Sequence, residues 1–145
     1  MAVSKEYDSL ISEFYTSNAL YKVQHTLSSP VDLKTPYTLS FFTLEKLYIF
    51  TNPREIKRFL STQDYLIEPL FDIYIQIQRI FGENIIRIRL EYDKDPEENF
   101  EGIFVMVETN LSPEHSLDLL EKFDEWWLEV DKRVRMATTV MVRSA

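Results

Sequence analysis

The side chains of this chain that could do chemistry are two histidines, a run of carboxylates and a pair of adjacent tryptophans, and their spacing decides what each can do. His25 and His115 are far apart in sequence, and neither has another ligand-type residue at a spacing that nominates a metal site. His115 follows Ser112 by three residues, which reads as an exposed position in the first turn of a helix. The run Asp93-Lys94-Asp95-Pro96-Glu97-Glu98-Asn99 repeats carboxylates at alternate positions, as loops for hard cations do. It has no glycine where such a loop turns sharply, and Pro96 removes a backbone donor, so a solvated hairpin loop without calcium is expected. Asp124 with Glu125, and Glu97 with Glu98, are paired carboxylates with no sign of the burial that tunes a catalytic acid. Two glycines, Gly82 and Gly102, cannot build a phosphate-cradling loop or a dinucleotide fingerprint. The absence of cysteine removes disulfides, thiolate zinc, a Cys nucleophile and iron–sulfur clusters. No serine stands in a nucleophile-elbow pattern. The expectation is therefore no catalytic residue, no metal and no cofactor, and it leans away from an enzyme.

The elements that must position any site can be read from composition and period. A length of 145 residues with 45% hydrophobic and 14% aromatic content fits one domain, 1–145, with one apolar core. The formal charge of -8 repels phosphate backbones, so nucleic acid is not an expected partner. The basic groups Arg54/Lys57/Arg58 and Lys132/Arg133/Arg135 are read as solvated positions near helix termini. The N-terminus lacks a basic region followed by an apolar run, and no stretch approaches the roughly 18 apolar residues of a membrane span. No membrane contact and a cytoplasmic location are expected.

Along the chain, Leu10, Ile11 and Phe14 predict a helix over about 4–17, and the proline-bearing stretch Thr26 to Pro36 predicts a connector completing an N-terminal arm, 1–36. Short helices are expected over 37–67. One begins near Thr43 within Phe41 to Phe50, a segment dense enough in apolar residues to suit a buried strand as well. Another runs from an Asn52 cap and Pro53 to about Leu60, burying Ile56, Phe59 and Leu60. Residues 68–145 read as an α-β-β-α-β unit. Its first helix has Pro69 in the first turn, the stripe Leu70, Ile73, Tyr74, Ile77, Ile80 and Phe81, and Gly82 as C-terminal cap. Ile86, Ile88, Leu90 and Tyr92 alternate with Arg87, Arg89 and Glu91 as a half-buried strand. Ile103 to Thr109 reads as an interior strand, joined to the first as an antiparallel hairpin across a long loop from Asp93 to Glu101. Ser112-Pro113-Glu114 opens a helix to about Arg133, and Ala137 to Arg143 reads as the last strand. On that helix Trp126 and Trp127, about 100° apart, flank a stripe containing Leu119, Leu120, Phe123, Val130 and Val134, and they read as core aromatics. Helices and strands do not alternate one for one, so a two-layer α+β fold with the helical arm packed on the C-terminal unit is expected, in preference to a doubly wound sheet.

The alternations place Ile86, Ile88 and Leu90 beneath helices with Ile103, Val105 and Val107. The opposite face then carries Arg87, Arg89, Phe104, Met106, Glu108, Met141 and Arg143, apolar at its centre and charged at its edges. A mixed patch of this kind is the candidate partner surface. The C-terminal half, through Thr109-Asn110-Leu111-Ser112-Pro113-Glu114 and Phe123-Asp124-Glu125-Trp126-Trp127-Leu128, resembles a family of small uncharacterised bacterial proteins common in cyanobacteria. The resemblance covers residues 38–142. It carries no established activity and no functional residue onto this chain; an antitoxin-like or regulatory partner-binding role is an expectation set beside it. Two functions follow as expectations. The first is a non-catalytic protein-interaction module whose partner is another protein or a second copy. The second is a small-molecule binding protein or unfamiliar enzyme, with an apolar pocket between arm and sheet to which Tyr37, Tyr48, Tyr65 and Tyr74 lend polar tips.

Overall fold

A computed structural model describes residues 37–145; the expected helix over 4–17, the connector from Thr26 to Pro36 and His25 lie outside the described residues. The chain divides into two compact units, Met1–Lys46 and Leu47–Ala145. The described elements run α1 (Thr38–Leu47), β1 (Ile49–Phe50), α2 (Pro53–Thr62), α3 (Ile67–Phe81), β2 (Ile85–Asp95), β3 (Phe100–Thr109), α4 (Pro113–Trp127), α5 (Lys132–Ala137) and β4 (Thr138–Ser144). The fold is α+β, with one four-stranded sheet in the order β1-β2-β3-β4. β2 and β3 pair antiparallel, and each edge strand runs parallel to its inner neighbour.

The helical reading of Phe41 to Phe50 and its strand alternative each describe part of the segment. The helix begins five residues before Thr43, its first bond running from the Phe41 N–H to the Tyr37 carbonyl, and the chain then straightens so that Ile49 and Phe50 pair with Arg89 and Leu90. Pro53 occupies the first turn of α2, and Ile56, Phe59 and Leu60 are buried as expected. Asn52, however, does not cap that helix with its side chain. Its Nδ2 donates to the Tyr92 carbonyl at 2.8 Å and its Oδ1 accepts the Tyr92 N–H at 2.9 Å. The amide side chain thus adds a rung to the ladder where β1 has ended, continuing the bond from the Thr51 N–H to the Leu90 carbonyl.

Gly82 closes α3 at φ +54°, the left-handed region that glycine enters without a Cβ penalty. The β2–β3 hairpin forms, but its loop is short. The strands extend through Asp95 and from Phe100, leaving Pro96 to Asn99 as the turn. Asp95 Oδ1 accepts the N–H groups of Glu97 and Glu98, and Asn99 takes φ +53°. One carboxylate of the acidic run is therefore spent on holding the turn.

The helix expected from Ser112 to about Arg133 is two helices. Ser112 caps α4 by accepting the His115 N–H, and α4 ends at Trp127. Asp131 then caps α5 by accepting the Arg133 N–H at 2.8 Å, and Arg135 Nε donates to the Val130 carbonyl. Lys132, Arg133 and Arg135 read in sequence as solvated positions near a helix terminus, but Asp131 just before them acts as a new start signal. Val130 and Val134 consequently leave the α4 stripe. Phe123 is fully buried, with the Trp126 and Trp127 rings 5.5 and 5.8 Å from it and 6.2 Å from each other in one aromatic cluster.

Both helical connections cover the same sheet face. The Phe59 ring of α2 lies 5.2 Å from the Tyr92 ring, and Ser116 of α4 reaches Thr109 and Ser144 through hydroxyl contacts of 2.8 and 3.4 Å. Under this layer Ile88, Leu90, Ile103, Val105 and Val107 are buried. Ile86 is the exception to the expected inner row. The register shifts between Ile85 and Arg87, so Ile86 is the extra residue of a bulge and turns outward, 47% exposed. Among the described residues, no helix is long and apolar enough to cross a membrane.

Candidate functional site

The face of the sheet opposite the helices assembles from three strands in register. Arg87, Glu108 and Arg143 form one rung; Arg89, Met106 and Met141 form the next; Glu91, Phe104 and Thr139 the third; Asp93 and Gly102 the fourth. All seven residues nominated from alternation, Arg87, Arg89, Phe104, Met106, Glu108, Met141 and Arg143, therefore share one face. Ile49, paired with Arg89, extends the second rung onto β1 and is 51% exposed. Met141 is 38% exposed, and Phe104 and Met106 are half-buried.

The charged end has its own internal order. Glu108 is only 6% exposed. Its Oε2 lies 2.7 Å from Arg87 Nε and its Oε1 lies 2.8 Å from Arg89 Nε. The Arg89 contact is an ion pair whose N–H is poorly aligned with the carboxylate, since that nitrogen makes no hydrogen bond of good geometry. Burial of the acid with the guanidinium groups partly in solvent fits the carboxylate to a site that two cations hold open. At the other end, Gly102 is required by a close approach. A Cβ there would meet the Ala137 carbonyl oxygen at 2.5 Å and the Phe100 ring at 2.9 Å. The Phe100 ring packs edge-on to Phe104 at 5.6 Å.

Glu91, Asp93, Gly102, Thr139 and Ile49 also belong to this face, beyond the seven expected from sequence. Glu91 alternates with Arg87 and Arg89, so its place was legible, but it was not nominated. Asp93 joins because β2 continues into the stretch read as loop, and Ile49 joins through the two-residue strand β1.

The tyrosines expected to line a pocket have separate fates. Tyr48 is buried and donates to the Leu70 carbonyl at 2.7 Å. Burial, followed by the nearby Tyr74 and Asp72, pushes its hydroxyl pKa well up. Tyr74 lies edge-on to Tyr48 and accepts from Gln78 Nε2. Tyr65 stacks under the Arg133 guanidinium, 3.7 Å from its ring centre, beside an open cleft of about 280 Å³ lined also by Glu68, Asp72 and Asp131. Partial desolvation and then the Glu68 charge raise the Asp72 carboxyl above its ordinary value. Tyr37 packs its ring on Phe41 within α1 and its approach. Among the described residues, no group of three or more His, Asp or Glu side chains is arranged to hold a metal ion. Ser112 and His115 touch, Oγ to Nδ1 at 3.1 Å, but the serine is engaged as the cap of α4. Set against known protein families, curated proteins and solved structures, the chain matches none.

Proposed function

We propose that this protein is a non-catalytic interaction module that works through the open face of its sheet. The observation that carries this reading is the composition of that face: Met106, Met141 and Phe104 lie in the middle of a sheet surface with no helix of the described C-terminal layer over it, bordered by the Arg87–Glu108–Arg89 cluster. An apolar centre inside a charged border is what a contact surface needs, because the centre gains from desolvation while the border sets orientation. A regulatory, antitoxin-like role in a bacterial cytoplasm is compatible with this reading, and a cysteine-free composition suits a reducing compartment. The small-molecule alternative draws less support. The hydroxyl of Tyr48 is consumed inside the fold, and the Tyr65 cleft is open and lined by charge.

A photo-crosslinking residue placed at Met141 tests the proposal in cells, with the same residue at Leu117, exposed on α4, as the control. A covalent protein adduct is expected from position 141 and not from 117. The variant Phe104→Lys/Met106→Lys, carrying the crosslinker, should keep its circular dichroism spectrum and lose the adduct. No adduct, or an adduct indifferent to the two lysines, overturns the reading. Unfolding by the lysines also overturns it, since the face would then be closed by the fold itself.

A further inference from the structure

We propose that the occupant of this face is a second copy of the chain, stacked with its strands reversed about a twofold axis. The inference rests on the open face being a contact surface, and it adds what that surface recognises. Its basis is the order of charge along β2. On the open face β2 presents Arg87, Arg89, Glu91 and Asp93 in succession, two cations followed by two anions. Read in the opposite direction, the same stripe is its own complement.

Symmetry limits how two such faces can meet. Face-to-face packing by a twofold places the axis in the plane between the sheets. With the axis running along β2, Arg87 lies over the partner's Arg87 and Glu91 over the partner's Glu91, which sets like charges of the stripe against each other. With the axis across the strands, each strand lies over its own reversed copy. Arg87 then faces the partner's Asp93, and Arg89 faces the partner's Glu91, four matched positions counting both copies. The centre of this arrangement falls between the Arg89 and Glu91 rungs, so Met106 and Met141 meet the rung of the partner's Phe104 and Thr139. Apolar groups therefore meet over β3 and β4, while the matched charges meet over β2. Sheets packed face to face stand about 10 Å apart, a distance that arginine and carboxylate side chains span together.

Glu108 does not neutralise the basic end. One carboxylate serves both Arg87 and Arg89, and Arg143 adds a third cation on the same rung. The remaining positive charge calls for an acidic counterpart, and each copy supplies one in Glu91 and Asp93, both exposed. These side chains project from the sheet face, and the edge of β2 away from β3 is taken by Ile49 and Phe50 and, at Tyr92, by the Asn52 side chain, so a surface laid over the face matches the whole stripe as an added edge strand does not.

The test is the association state of the full chain by sedimentation velocity and light scattering. The unaltered protein should be a dimer at high micromolar concentration. Glu91→Gln/Asp93→Asn should weaken it about tenfold or more, and Glu91→Arg/Asp93→Arg should give a monomer with an unchanged circular dichroism spectrum. Glu97→Gln/Glu98→Gln, an equal change of charge in the hairpin turn off this face, should leave the dissociation constant unaltered. If the arginine variant does not fold, the neutral pair decides. A monomer at every concentration overturns the proposal, as does a dimer indifferent to positions 91 and 93 or equally sensitive at 97 and 98. A monomeric wild type that crosslinks to a different protein through position 141 sinks self-association alone; no adduct sinks the contact-surface reading with it.

Discussion

Glu108 and Asp72 show how differently two carboxylates of one acidic chain are placed. Glu108 is buried but has a guanidinium nitrogen within ion-pair distance of each oxygen, so removing it leaves two cations side by side on the open face. Glu108→Ala should cost about 2–3 kcal/mol of unfolding free energy by denaturant titration, below the full value for a buried pair because both arginines reach solvent. Among the described residues, no cation forms an ion pair with Asp72. Partial desolvation of this largely exposed side chain and then the Glu68 charge resist its ionisation. Its folded pKa therefore lies above the ordinary 3.8. A raised acid contributes stability while protonated and loses that contribution as pH rises through the folded pKa. Asp72→Asn should stabilise the fold at neutral pH by no more than about 0.5 kcal/mol, after discount for solvent screening. The gain should vanish when melting is followed below the ordinary carboxylate range.

Among the elements, the least legible is β1, whose two residues are too few for any period to register. Asn52 makes it effective. By pairing with both backbone groups of Tyr92 it ties the start of α2 to the edge of β2. Asn52→Ala should therefore destabilise by about 1–2 kcal/mol, the usual value for two partly buried hydrogen bonds. Hydrogen exchange provides the specific check: the Tyr92 amide should lose protection while amides of β3 change only with global stability. An Asn before a Pro has a ready reading as a cap, and that local reading concealed the long-range one across 40 residues. The division of the last helix has a similar origin. Phe123, Trp126 and Trp127 follow helical spacing, but Asp131 restarts the helix through a cap that only the backbone geometry reveals.

At the scale of the whole molecule, local order came from the sequence and pairing came from the fold. Period-two alternation in Ile88 to Tyr92, the run Ile103 to Thr109 that is β-branched and apolar on both alternations, Pro113 behind a serine cap, and Gly82 after an apolar stripe determined element types by themselves, because each is a short-range steric or hydrogen-bonding constraint. The α+β class followed from their order, and the seven-residue surface followed from parity, since parity survives wherever a strand has no bulge. Parity failed at Ile86, where one extra residue turned a predicted inner side chain outward. Sheet order, the pairing of β1 with β2, and the clasp of Glu108 by two arginines were decided only by tertiary structure. Those features depend on which strands become neighbours and which groups share a buried space, and no local pattern in Arg87 to Asp93 or Phe104 to Glu108 encodes that choice. The charges of the β2 stripe are in the sequence, but that they share one sheet face, opposite the described helices of the C-terminal layer, is a property of the fold.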